Sequence, residues 1–167
     1  MTLHRTARAS KAAARAYEPF LLATTRRFGP IPAGFWRRKY SSGFIVTLIT
    51  LHSRAGLERD GAQATDAVGN IQLDAFERLT GQPSEGLGEL VYLASIEQDR
   101  AFLEGCENAV VFFRAWQVQH DAQRHMTPGD GEQLRELARF NDSELAEWAG
   151  PECVELWRQF FDDRIAA

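Results

Sequence analysis

His120, Asp121 and His125 form the only cluster of histidines in this sequence, and histidine titrates near neutral pH and binds metal ions. Asp121 and His125 lie four residues apart, so both fall on one face of a helix. Metal centres in helical bundles commonly use Glu-x-x-His pairs on facing helices, and this sequence contains no such pair. We therefore expect no metal site: His120 ends a buried seam, and the other two residues cap or pair near a helix end.

An alternative hypothesis is that the protein is an enzyme or a receptor, with a pocket for a small anionic or aromatic ligand between its central helices. In it a histidine acts as base and an arginine holds the anion. His52 follows an apolar run, and Glu97 flanks apolar residues, so partial burial is expected for Glu97. A histidine at the edge of the core is the preferred interpretation, and catalysis is the secondary one. The residues that would line the pocket are Arg38, His52, Glu97 and His120.

Cationic and aromatic side chains alternate over residues 26–40, on both sides of the proline- and glycine-rich loop at 28–34. Trp36, Arg37 and Arg38 are the ligand-binding candidates in this segment, because cations hold phosphates and aromatic rings stack on bases. A sequence pI of about 5.6 makes nucleic acid an unfavoured partner. Pairing of these cations with acidic side chains, inside the fold or across a dimer, is the preferred interpretation.

The charge is split along the chain. Residues 1–60 carry eleven Lys or Arg against three Asp or Glu, and residues 61–167 carry eight against twenty, so the two parts stand at +8 and −12. Opposite fields of this size either neutralise each other in the fold or leave a basic surface for an anionic partner.

No motif for a cofactor or a catalytic mechanism stands out. Phosphate-loop, serine hydrolase and zincin patterns do not occur, and we expect no cofactor. Cys106 and Cys153 are far apart and lie in apolar helical patterns, which is typical of buried free thiols in a reducing compartment. The acid pairs fall mostly on polar helical faces and are assigned to solvated surface: Asp74 with Glu77, Glu85 with Glu89, Glu104 with Glu107, and Asp162 with Asp163.

Helical periodicity positions these residues. The segment from Leu87 to His120 repeats apolar residues every three or four positions, with Gly105 as the candidate bend. A helix is predicted over Asp66–Thr80, ended by Gly81 and Pro83, with Asp74 and Arg78 paired at i and i+4. Ser84 and Glu85 are predicted to open the next helix.

The ends of the chain follow the same pattern. A first helix is predicted over Ser10–Arg27 and a second from about Phe35, and Phe44–His52 is assigned to helix in preference to a buried strand. Further on, the sequence predicts a turn at 128–131, a short helix over 132–139, a cap at Asn141 or Asp142, and a helix end at Gly150. Pro151 opens a last helix, whose seam is Val154, Trp157, Phe161 and Ile165.

The sequence thus predicts an all-α, single-domain helical bundle over residues 1–167, with about five to seven helices and one or two long central helices. Disorder over residues 1–9 is an alternative for the N-terminus. The longest apolar stretch is too short to cross a bilayer, so no membrane contact is expected. We expect a bacterial-type cytoplasmic binding or regulatory module that acts on another protein or as a homodimer, the Val154–Ile165 seam docking on a second copy.

Overall fold

The computed structural model describes residues 2–59, 68–124 and 141–166, with side chains described at 6–57, 68–121 and 141–166. Every regular element in these ranges is helical, which confirms the predicted all-α class. Two long helices, α1 with 27 residues and α5 with 25, agree with the predicted long members. The elements are α1 (Thr2–Phe28), a 3-10 turn (Ala33–Arg37), α2 (Lys39–Arg59), α3 (Val68–Thr80), α4 (Leu87–Ile96), α5 (Arg100–Arg124), α6 (Asp142–Ala149), α7 (Pro151–Trp157), a π-helical turn (Arg158–Asp162) and α8 (Asp163–Ala166).

The contacts within the chain gather into two compact units. Unit 1 comprises residues 1–17 and 32–110, and unit 2 comprises residues 18–31 and 111–167. The chain leaves unit 1 within α1 and again within α5, so each long helix contributes residues to both units. Because no linker separates two consecutive stretches of sequence, this organisation is compatible with the predicted single domain.

Helix α2 is the core helix of unit 1. Its middle is apolar on nearly all sides, as expected of a helix that neighbours cover all round. Phe44, Ile45, Leu48 and Ile49 are fully buried, which confirms helix for the segment Phe44–His52. Helix α3 packs against it and buries Ile71, Ala75 and Phe76.

Two glycines let α2 and the first half of α5 approach closely. A Cβ atom on Gly105 would lie 2.9 Å from the backbone nitrogen of Phe44, and one on Gly43 would overlap the carbonyl of Phe102. Gly105 was predicted to be a bend, but α5 runs through it, and its role is the helix contact. A hydrogen bond also joins the two helices here: the Asn108 side chain of α5 donates to the Tyr40 hydroxyl of α2 at 2.9 Å.

The predicted long segment from Leu87 to His120 is broken elsewhere. Helix α4 ends at Ile96 and α5 begins at Arg100, and Gln98 between them has a φ of 50°, in the left-handed region. Asp99 then accepts a bond from the backbone N–H of Phe102 and opens α5. Periodicity did not reveal this break because the apolar spacing continues across it.

The start of α4 also differs from the prediction. Gly81 ends α3 with a φ of 66°, as expected of a glycine C-cap. Ser84, however, does not cap the next helix: its hydroxyl and backbone N–H both donate to Glu77 at the end of α3. Gly86 is the residue before α4 and has no side chain to cap it. A rigid turn bonded back to α3 therefore replaces the predicted capped start.

Near the N-terminus, the second predicted helix begins later than expected. A 3-10 turn comes first, and the backbone N–H of Phe35 donates to the Pro32 carbonyl at 2.9 Å at its start. Helix α2 begins only at Lys39. The first helix begins earlier than predicted, at Thr2 instead of Ser10. The predicted turn at 128–131, the helix over 132–139 and His125 all lie outside the described residues.

In unit 2 the predicted helix ends are confirmed. Asn141 forms a capping box with Glu144 at the start of α6, Gly150 ends α6, and Pro151 is the first residue of α7. The predicted last helix is interrupted by the π-helical turn Arg158–Asp162, whose longer repeat shifts the residues that follow it around the axis.

Aromatic rings form the core of unit 2. Phe20 of α1 lies 5.0 Å from Trp157 and 5.2 Å from Phe112, measured between ring centroids. Val154, Trp157 and Phe161 are exposed by 6%, 1% and 1% respectively. The proposed docking of this seam on a second copy was therefore wrong, because its side chains already fill the core of their own unit.

Candidate functional site

The ligand-binding candidates between residues 32 and 40 are mostly structural. Trp36 is 2% exposed and packs edge-on against Phe76, so its ring cannot stack on a base. Arg37 donates to the carbonyl of Pro83 at 2.7 Å, which ties the 3-10 turn to the chain before α4. Arg38 is exposed and lies over the ring of Phe35, 5.5 Å from its centroid.

The four proposed pocket residues have separate surroundings. His52 is half-buried with its ring edge-to-face on Tyr17, at 5.7 Å. Glu97 was expected to be partly buried, but it is exposed and lies 3.5 Å from the ammonium group of Lys39. His120 belongs to unit 2, whereas Arg38, His52 and Glu97 belong to unit 1.

His120 is part of an aromatic cluster in unit 2. Its ring lies 3.6 Å from that of Trp116 and perpendicular to that of Trp148 at 5.6 Å, between centroids. This agrees with its predicted place at the end of the buried seam of α5. Among the described side chains, no group of three or more His, Cys, Asp or Glu is arranged to hold a metal ion.

Ion pairs join the basic first part of the chain to the acidic remainder. In unit 1, Lys39 pairs with Asp99 at 2.8 Å as well as with Glu97. In unit 2, Arg27 pairs with Asp142 at 3.0 Å and with Asp162. These contacts confirm part of the predicted neutralisation inside the fold.

Among the residues of unit 2 that the structure describes, the most buried group of polar side chains is centred on Asp162. This carboxylate, 2% exposed, ends the π-helical turn and accepts hydrogen bonds from Thr24, at 2.5 Å, and from Arg27. Arg27 also donates to Asp142, and Asp142 accepts a second arginine, Arg158, at 2.8 Å. Helix α1, α6 and the segment after α7 are thus linked through two carboxylates.

Thr24 has one hydroxyl proton and several neighbours. Its oxygen accepts from the indole N–H of Trp157 at 2.9 Å, and both the Phe20 carbonyl, at 3.0 Å, and Asp162 lie within donating distance. A charged Asp162 needs the Thr24 proton. A neutral Asp162 can donate to Thr24 instead, which frees that proton for Phe20. Either protonation state of Asp162 therefore leaves its bond to Thr24 intact.

Burial raises the pKa of the Asp162 carboxyl, and the hydrogen bond from Thr24 and the charge of Arg27 offset this only in part. The sequence pattern predicted a solvated surface position for Asp162, and that prediction was wrong. The π-helical turn is the reason: it moves Asp162 next to Phe161 on the buried side, where a regular 3.6-residue repeat would not place it.

A second feature that the sequence did not reveal is the outer face of α4, defined here as Tyr92, Leu93 and Ile96. These side chains are exposed by 64%, 46% and 60%. The opposite side of α4 buries Leu87 and Ala94, and α4 packs against α2. The sequence does not show which side of this apolar helix is covered, and the neighbours in unit 1 cover only one side of it.

The two cysteines are free thiols, as expected. Cys153 is 1% exposed, and burial raises its pKa to about 12. Burial also raises the pKa of Cys106, whose sulfur lies 3.7 Å from the carbonyl of Gly43. Neither thiol has the thiolate character that a nucleophile needs.

Within the described ranges, no helix has both the length and the apolar content needed to span a bilayer. Comparison with protein-family models, with curated proteins and with solved structures finds no match to this chain. Function is therefore inferred from the residues and their geometry.

Proposed function

We propose that this protein is a cytoplasmic helical binding module that acts through protein–protein contacts, and that its partner is a second copy of itself. The outer face of α4 carries this proposal. Leu93 lies three residues and Tyr92 four residues before Ile96, so both are neighbours of Ile96 on one helical surface.

Exposure of this face is costly for an isolated chain. Complete burial of a side chain of this size contributes about 1.5–3 kcal/mol relative to exposure in water. Scattered exposed apolar residues are ordinary, but a contiguous group with a polar rim is typical of an interaction site. Leu103, 39% exposed near the start of α5, adds to the apolar surface of unit 1.

Charges of both signs surround this face. Glu89 is exposed one turn before Tyr92, and Arg100 is exposed four residues after Ile96. At the end next to Arg100, Glu97 and Asp99 both pair with Lys39, so acidic and basic side chains are mixed there. A second copy presents the same apolar residues to this face, and the mixed charges around it do not favour a strongly basic or a strongly acidic partner.

The two alternative functions gain less support. Phe35 and Trp36, each 2% exposed, are core residues and do not form a stacking platform for single-stranded nucleic acid. A ligand pocket lined by Arg38, His52 and Glu97 is not favoured, since Glu97 is exposed and pairs with Lys39. Free Cys106 and Cys153 are compatible with a reducing compartment, which supports the cytoplasmic part of the proposal.

The test is the mass of the protein in solution, measured by sedimentation equilibrium over a wide range of concentration. We expect a reversible dimer, and we expect Ile96→Glu to be monomeric because it places a charge in the apolar contact. Val118→Glu is the matched control, since Val118 is 73% exposed on α5 and lies off this face, in unit 2. A wild-type protein that stays monomeric would refute the homodimer, and an Ile96→Glu dimer would exclude this face.

A further inference from the structure

Helix α1 carries a cationic face in unit 1, defined here as Arg8, Lys11 and Arg15. Their spacing, at i, i+3 and i+7, places them on one side of the helix over about 10 Å of its axis. All three side chains are exposed. The opposite side of the helix buries Ala13 and Tyr17, each 0% exposed, so the fold fixes which side faces the solvent.

The charges of this face are not neutralised within the described part of the chain. No ion pair or hydrogen bond joins these three side chains to another described residue. Lys39 and Arg27 differ from them, because acidic side chains in their own units pair with both. The basic first part of the chain therefore keeps, after folding, a surface on α1 that is available to an anionic partner.

Acidic side chains bound the cationic face without cancelling it. No Asp or Glu precedes Glu18 in the sequence, and Glu18, exposed one turn after Arg15, ends the face. Asp74 contacts this part of α1 through the Ser10 hydroxyl, but its carboxylate is already paired with Arg78 at 2.8 Å. The acids of a partner therefore fit opposite the three cations and not beyond Arg15.

We propose that the cationic face of α1 binds an acidic helix of a partner protein, and that this surface is distinct from the outer face of α4. Acids repeated every three or four residues on such a helix lie opposite the three cations, and the exposed small side chains of Ala7 and Ala12 let its backbone approach. Nucleic acid and an anionic membrane are disfavoured, because this face has no aromatic ring to stack on bases and no large apolar side chain to insert into lipid. The net charge of −4 also opposes a long polyanion.

The probe is a fluorescently labelled helical peptide whose glutamates repeat with the spacing of the cationic face, and fluorescence anisotropy at low ionic strength measures its Kd. We expect binding that weakens as salt is added, because the contact joins exposed charges. Arg8→Glu combined with Lys11→Glu should raise the Kd by about tenfold or more, since two attractions become repulsions. The matched control is Arg100→Glu combined with Arg114→Glu, which changes the net charge equally at exposed positions of α5 and should change the Kd much less. Circular dichroism checks that both double variants fold.

Oligothymidylate and vesicles that contain phosphatidylserine test the two other kinds of anion. We expect both to bind more weakly than the peptide, and tighter binding of either one would overturn the choice of a protein partner. The proposal also fails if the wild type does not bind the peptide, or if the two double variants lose the same affinity. Sedimentation separates this surface from the homodimer: Arg8→Glu combined with Lys11→Glu should keep the mass of the wild type, whereas a shift to monomer would show that the two surfaces are not distinct. A monomeric wild type that binds the peptide would refute the homodimer and support the present proposal.

Discussion

Two aspartates, one in each unit, receive the same kinds of hydrogen-bond donor and respond in opposite directions. Asp74 of unit 1 accepts from the guanidinium of Arg78, at 2.8 Å, and from the hydroxyl of Ser10 on α1. Arg78 first, and then Ser10, lower the pKa of Asp74. Asp162 of unit 2 also accepts from an arginine and from a hydroxyl on α1, yet its pKa is raised.

Burial explains the difference. The Asp74 side chain is 43% exposed, and that of Asp162 is 3% exposed. At Asp74 water still solvates the carboxylate, so each donor adds to the stability of the charged form. At Asp162 the loss of hydration destabilises the charged carboxylate by more than the hydrogen bond from Thr24 and the charge of Arg27 stabilise it. The two sites show that donor identity alone does not fix the charge state of a carboxylate.

Removing the arginine that pairs with each aspartate should give the largest difference in the free energy of unfolding between the two sites. Arg27→Met leaves Asp162 buried without its cation, and because Arg27 is 23% exposed we expect a cost of about 2–3 kcal/mol in the free energy of unfolding at neutral pH, less than for a fully buried pair. Arg78→Met should cost little, because water solvates the carboxylate that it leaves. Urea denaturation of both variants measures the difference.

Acid conditions provide the control for that measurement. The cost of Arg27→Met should shrink as Asp162 becomes protonated, because a neutral carboxyl does not need the cation. Equal costs for Arg27→Met and Arg78→Met at neutral pH would contradict the comparison, since burial would then have no bearing on the value of the pair.

Loss of the hydroxyl should have the next largest effect. Thr24→Val keeps the shape of the side chain but leaves Trp157 without an acceptor and Asp162 without a donor, so we expect a cost of about 1–3 kcal/mol. Ser10→Ala removes the matching hydroxyl at Asp74, whose carboxylate is still solvated by water and paired with Arg78, and should cost less than about 1 kcal/mol. Thermal unfolding followed by circular dichroism compares the two, and a larger loss for Ser10→Ala would contradict the role of burial.

The sequence predicted one of these sites and not the other, for a physical reason. Asp74 and Arg78 are spaced at i and i+4 on a regular helix, and the predicted pair is present. Asp162 is the last residue of a π-helical turn and accepts hydrogen bonds from residues 138 and 135 positions away. Neither the extra residue in the helical repeat nor contacts at that separation leave a local signal in the sequence.

Features of the fold were likewise predicted where they depend on local sequence and missed where they depend on distant contacts. The all-α class and the capped ends at Asn141 and Gly150 were predicted because they depend on local spacing and turn chemistry. The break at Gln98 was missed because the apolar spacing continues across it. The exposed face of α4 was missed because it depends on which side of the helix its neighbours cover. The homodimer stays a prediction.

The smallest expected effect, and the most direct test of the comparison, is the pH dependence of stability. The unfolded chain gives both carboxyls a pKa of about 3.9. Asp74 has a lower pKa in the folded state, so its contribution is present above the unfolded pKa and is lost as the pH falls through the folded pKa. Asp162 has a higher folded pKa, so its contribution is present below the unfolded pKa and is lost as the pH rises through the folded pKa.

Asp74→Asn and Asp162→Asn remove these contributions one at a time. The difference in unfolding free energy between wild type and Asp74→Asn should therefore decrease as the pH is lowered, whereas the difference for Asp162→Asn should decrease as the pH is raised. Urea titrations at a series of pH values give both slopes, with Asp163→Asn as the control at an exposed neighbouring carboxyl. Slopes of the same sign would show that Arg27 outweighs burial at Asp162, and that both carboxylates are stabilised in the charged form.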